Sequence, residues 1–197
     1  MANFSSGNFS VNLGFVSLGA SFDDADRQLA WELYVEMMSR VAVRGKVDSE
    51  GYENFTGEIL AESLESMYHF FKEVRALARR FPVGAIGVKQ RDHLGFFAAS
   101  MLEVVFRPFL EKWQAEFRHW WRMAYDDDQP RRPTVVQLEF PELDEMLLDW
   151  TNVRRFVRDA ANELAAAYKL TDLAAAMPDD LRYAMLRTTP GPTLRRK

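Results

Sequence analysis

The stretch that most constrains the fold is LGFFAASMLEVVFRPFL, residues 94–110, in which twelve of seventeen residues are apolar. Its apolar side chains form two rows: Leu94, Phe97, Met101, Val105 and Phe109, and Phe96, Ala99, Leu102, Phe106 and Leu110. Both rows step by three or four, which is helical periodicity on two sides of one helix. A helix that is apolar over so much of its circumference needs several neighbours, so His93 to Met123 is expected to be the central helix of a bundle. Pro108 lies inside it and lacks the backbone N–H, so a kink is expected near Val104 to Phe106. Glu103 and Arg107 interrupt the run, which is also shorter than the roughly 20 residues of a spanning helix. Membrane association is therefore not expected.

Three further long helices follow from the same periodicity. Asp23 or Asp24 opens one that runs to about Val43, with Ala30, Leu33, Met37 and Val41 inward and Gly45 as its stop. From Glu58 to Phe81, the residues Leu60, Leu64, Met67, Phe71, Val74, Ala78 and Phe81 alternate steps of four and three, the seam of a packed helix. Pro82 ends it. Pro141 starts the last long helix, which reaches Leu170 and turns Leu143, Leu147, Trp150, Val153, Val157, Ala160, Leu164 and Ala167 inward. Lys46–Phe55 reads as a polar loop. TVVQLEF at 134–140 alternates Val136, Leu138 and Phe140, the pattern of a short strand. Phe9, Val11, Leu13 and Phe15 alternate in the same way near the N-terminus. The expected fold is mainly α: an antiparallel four-helix bundle over residues 23–170, with an N-terminal β-strand or extended arm (1–22) and a short C-terminal helix with a basic tail (171–197).

Little in the chain points to catalysis. With no cysteine there is no disulfide, thiolate metal site or cysteine nucleophile. That composition suits a reducing compartment, and MANFSSGNFS has neither the basic start nor the apolar run of a signal peptide, so a cytoplasmic location is expected. The histidines are His69, His93 and His119. Glu116 and His119 have the Glu-x-x-His spacing of di-iron bundles, but that site needs the pair twice, and Glu65 and His69 are four apart. Asp126, Asp127 and Asp128 lack the alternation and central glycine of a calcium loop. No phosphate-cradling glycine loop, Gly-x-Ser-x-Gly or His-Glu-x-x-His occurs. No enzymatic activity, metal or cofactor is expected.

What remains is surface. Fifteen Phe and five Trp among 197 residues exceed what a four-helix core of this size must absorb, and aromatic residues and arginine are favoured at protein interfaces. Phe9, Val11, Leu13, Phe15, Trp120 and Trp121 are the candidate contact residues for a protein partner or for self-association. The alternative is a nucleic-acid module using Arg131, Arg132, Arg154, Arg155 and Arg158 beside stacking tryptophans. The net charge of −4 supplies no general attraction to a polyanion. A second alternative is a membrane-active effector that releases Phe96 to Leu110 around Pro108.

Three segments, LAWELYVEMMSRVAV at 29–43, ILAESLESMYHFFKEVRALARRF at 59–81 and VVFRPFLEKWQAEF at 104–117, resemble small, uncharacterised helical proteins encoded in bacterial multi-gene loci, antiphage defence loci among them. The resemblance spans residues 27–169. It implies an accessory or structural subunit of a bacterial multi-component system and carries no catalytic motif.

Overall fold

Helical periodicity sets the architecture. The computed structural model describes residues 24–81, 94–125 and 131–171, and these are mainly helical. The elements are α1 (Asp24–Ser39), α2 (Val41–Arg44), α3 (Leu60–Ala78), α4 (Leu94–Met101), a π turn (Leu102–Phe106), α5 (Arg107–Ala124), α6 (Pro133–Val136), a 3-10 turn (Gln137–Glu139) and α7 (Leu143–Tyr168). The segments 1–22 and 172–197 lie outside the described residues, and with them the expected N-terminal strand and C-terminal helix.

The first helix is shorter than its sequence pattern suggests. Arg40 adopts an extended conformation (φ −99°, ψ 111°), and the chain restarts as α2. Val41, expected inward, is therefore 47% exposed, while Ala42 and Val43 are buried. The break turns the Ala42 carbonyl toward α7, where it accepts hydrogen bonds from Trp150 Nε1 (2.8 Å) and Arg154 Nε (3.1 Å).

In α3 the buried residues are Leu60, Leu64, Met67, Phe70, Val74 and Leu77. Phe70 and Leu77 take the places assigned to Phe71 and Ala78. A straight helix turns once per 3.6 residues, so a strict seven-residue repeat drifts by about 20° per heptad. Arg80, just beyond α3, pairs with Glu32 of α1. That hydrogen bond, helped by Gln28, holds the Glu32 carboxyl below its ordinary range.

The expected kink is a π turn immediately ahead of Pro108. The row Leu94, Phe97, Met101, Val105 and Phe109 is wholly buried, but in the second row Phe96 is 51% exposed. This run is accordingly not the centre of the molecule. It packs on α3 and α7 and keeps an exposed outer side, whereas α3 meets α1, α2, α4, the π turn and α5.

The expected strand at 134–140 is helical instead. Pro133 fixes the first turn of α6, and the neighbours Val136 and Gln137 are both buried while Leu138 is 40% exposed. Burial of adjacent residues is incompatible with strand alternation. Among the described residues the one β feature is a single bridge, Val47 to Glu53, inside the loop between α2 and α3. The last helix ends where Lys169 enters the left-handed region (φ 52°, ψ 46°) and its N–H returns to Ala165 and Ala166.

Among the long helices, α1 packs on α3 and α7, and α5 packs on the same two. The large side chains between them include Tyr34, Phe70, Phe106, Phe109, Trp113, Phe117 and Trp150, each nearly inaccessible.

Candidate protein-interaction surface

Trp113, Phe117 and Trp121 are spaced four apart, so their side chains lie one above another along α5, and Tyr125 follows just beyond the helix end. Phe117 and Trp121 stack with centroids 5.9 Å apart and planes at 19°, and Trp121 and Tyr125 stack at 5.0 Å and 9°. Trp120 leans on Phe117 at 5.5 Å. Phe140, delivered by the turn after α6, meets Phe117 and Trp113 edge-on, at 5.0 Å and 6.4 Å, and lies tilted against Trp120 at 5.2 Å. Each such pair contributes about 0.5–1.5 kcal/mol beyond simple burial. Trp113, Phe117 and Phe140 are buried, and Trp120, Trp121 and Tyr125 are the partly exposed outer rings. On the same helix Met123 is 79% exposed, and Arg118 and Arg122 are exposed. The result is an aromatic surface already held rigid by its own base.

The base is fixed to α7 by a polar clamp. Lys112 Nζ lies 2.7 Å from Glu145 Oε1 and 2.9 Å from Asp149 Oδ2, and Trp113 Nε1 donates to the same Asp149 oxygen at 2.9 Å. Partial desolvation works against the Lys112 cation, but the two carboxylates outweigh it, so the ammonium titrates above its ordinary value. The Lys112 cation also stands 4.4 Å from the centroid of the Trp113 ring.

The other residues singled out from the sequence are dispersed. Phe9, Val11, Leu13 and Phe15 lie outside the described residues, as do His93 and Asp126, Asp127 and Asp128. Arg131 is exposed and pairs with Glu139 (2.7 Å); hydrogen bonding and charge raise the guanidinium's pKa and lower the carboxyl's. Arg132 and Arg155 are exposed. Arg154 is wholly buried and offers nothing to a nucleic-acid strand, and Arg158 is tied to Glu53. The expected basic surface thus loses Arg154. His69 lies 3.9 Å from Glu65, both exposed. Among the described residues no group of three His, Asp or Glu is arranged to hold a metal ion, and no helix is long and apolar enough to cross a membrane.

A second constellation was hidden in the sequence. Arg154 Nη2 donates to Glu58 Oε2 at 2.6 Å, and its Nη1 lies 3.5 Å from Glu53 Oε1. Arg158 donates to the Arg44 carbonyl (2.7 Å) and sets its Nη2 2.9 Å from Glu53 Oε2. The Arg154 guanidinium also lies 4.2 Å from the Phe55 ring centroid and 5.2 Å from that of Trp150. Gln137 closes the far side: its Oε1 accepts from the Leu60 N–H and its Nε2 donates to the Glu58 carbonyl, both at 2.9 Å. Two guanidiniums balance two carboxylates, and both carboxylate side chains are only 5% exposed. Internally neutral, and open to solvent only at Arg158, whose side chain is 25% exposed, the cluster anchors the α2–α3 loop to α7. The signal available in sequence was helical phase: Arg154 follows Trp150 by four and precedes Val157 by three, which places it on the buried face.

No protein-family model, curated protein or solved structure matches this chain.

Proposed function

We propose that the chain is a non-enzymatic helical subunit that acts by binding another protein, with the aromatic end of α5 as its contact. The observation that supports this reading is the pair Trp120 and Trp121, partly exposed and packed on a buried aromatic base, beside Arg118, Arg122 and Met123. Tryptophan and arginine dominate the energetics of protein interfaces, and rings immobilised beforehand lose little entropy on association. The pairwise contacts of α1, α3, α5 and α7 suit an up-down four-helix bundle carrying this surface at the end of one helix. A bacterial multi-component setting is part of the proposal and rests on the sequence resemblance.

The test is capture of a stoichiometric partner by the tagged full chain, co-expressed with its neighbouring genes and read by mass spectrometry, alongside light scattering for self-association. Trp120→Ala/Trp121→Ala should lose the partner while retaining far-ultraviolet helicity. Equal capture by the double variant would remove these residues from the contact.

A further inference from the structure

A pocket of about 360 Å³ opens between the second half of α3 and the α4–π run. Buried Leu102 and half-buried Phe71 supply apolar lining. The pocket stays open because α4 presents Gly95 and Ala99 there, one turn apart, with no side chain beyond a β-carbon. Arg75 and Arg79, also one turn apart, reach it from α3, and Arg107 reaches it from the start of α5. Arg107 pairs with Glu103 at 2.6 Å. Arg75 and Arg79 have no carboxylate partner among the described residues. Among the described residues three guanidiniums thus face one carboxylate, a local positive excess on a chain whose net charge is −4. The volume lies at the small end of ligand sites, roughly 300–1,000 Å³. Guanidinium forks match the oxygens of phosphate in geometry and charge.

We propose that this pocket binds a small organic phosphate, its phosphate held by Arg75 and Arg79 with Arg107 at the edge, and its apolar body against Phe71 and Leu102. The site is separate from the aromatic surface of α5 and does not depend on that reading. A lipid-derived and a nucleotide-derived phosphate share this chemistry, and the test separates them.

The full chain is titrated calorimetrically at low salt with hexyl phosphate, phenyl phosphate, adenosine monophosphate and inorganic phosphate, with benzyl alcohol as the uncharged control. At least one organic phosphate should saturate one site, at least tenfold more tightly than inorganic phosphate, and benzyl alcohol should not bind. Preference for hexyl phosphate assigns a lipid-like ligand, and preference for adenosine monophosphate a nucleotide. Arg75→Gln/Arg79→Gln should weaken the binding at least tenfold with unchanged circular dichroism. Ala99→Leu, which fills the pocket without altering charge, should abolish the advantage of the organic body. The proposal is overturned if no organic phosphate saturates, or if both variants bind as the parent does.

Discussion

Arg154 shows how burial fixes the role of a charge. It stands beside Arg155 and one turn before Arg158, a basic cluster when read along the chain, yet one position of helical rotation sends Arg154 into the core and Arg155 into solvent. A buried cation is tolerable only when paired and hydrogen-bonded. Its partners, Glu53 and Glu58, come from a loop about a hundred residues earlier, so the phase of Arg154 was legible and its partners were not. Arg154→Met should lower the unfolding free energy by about 3–5 kcal/mol, read by urea denaturation, because two carboxylates lose a buried counter-charge. Arg154→Met/Glu58→Gln should lose less than the two single substitutions combined; strict additivity would show that the pair does not act as a unit. Gly45 guards the same cluster. Its φ of +75° is strained for other residues, and a β-carbon there would overlap Glu53 Oε1 and approach Arg154 Cδ to 2.6 Å. Gly51 has φ +87° but nothing within 4 Å of an added β-carbon. Gly45→Ala should therefore cost well over the roughly 1 kcal/mol expected for Gly51→Ala, and equal losses would mean that the loop yields freely.

At the scale of elements, the run from α4 to α5 was readable in period but not in turn type. Phe97, Met101, Val105, Phe109, Trp113 and Phe117 are all buried and all four apart. In a regular α-helix each such step overshoots the turn by about 40°, so five steps would carry the row about 200° around the helix. The π turn at Leu102–Phe106 inserts roughly one residue and takes up about half of that drift. Pro108 alone would suggest only a broken hydrogen bond; the fixed stepping of the core residues gives the packing reason for a wide turn. Pro108→Ala should consequently keep the π turn and change stability by no more than about 1 kcal/mol. Rotation of α5 instead would expose Trp113 and shift its emission to the red. The 134–140 segment was misleading for a different cause: a short apolar alternation does not separate strand from turn, and the phase there is set by Pro133 and by Gln137 reaching across to α3. The junction of α5 with α7 also has a pH signature. The Lys112 pKa is raised in the folded state, so its stabilising contribution is complete below its ordinary value of 10.5 and is lost as pH rises through the higher folded value. Unfolding followed against pH should show an alkaline decline beginning near there, and Lys112→Met should reduce it. An unchanged alkaline limb would assign the decline to other groups.

For the whole molecule, the question is whether these parts unfold together. α1 and α5 each bridge α3 to α7, so no long helix can leave without uncovering two others. The Arg154 cluster ties the α2–α3 loop to α7, and Gln137 ties the start of α3 to the segment that also supplies Phe140 to the aromatic row. Among the described residues a contiguous hydrophobic cluster runs from Leu29 to Tyr168. Helices cross-linked in this way among the described residues are expected to unfold in one step, as small single domains generally do. Tryptophan emission, which reports buried Trp113 and Trp150 together with the three partly exposed tryptophans, and far-ultraviolet circular dichroism, which reports all the helices, should therefore give coincident urea transitions. In Arg154→Met the loop that places Phe55 5.8 Å from Trp150 loses its anchor, so emission should change at lower urea than helicity. Coincident curves in that variant would mean that the loop is held by its apolar contacts rather than by the buried charges. Separate curves in the parent chain would mean that the α4–α5 run, with its exposed outer side, forms an independently melting unit.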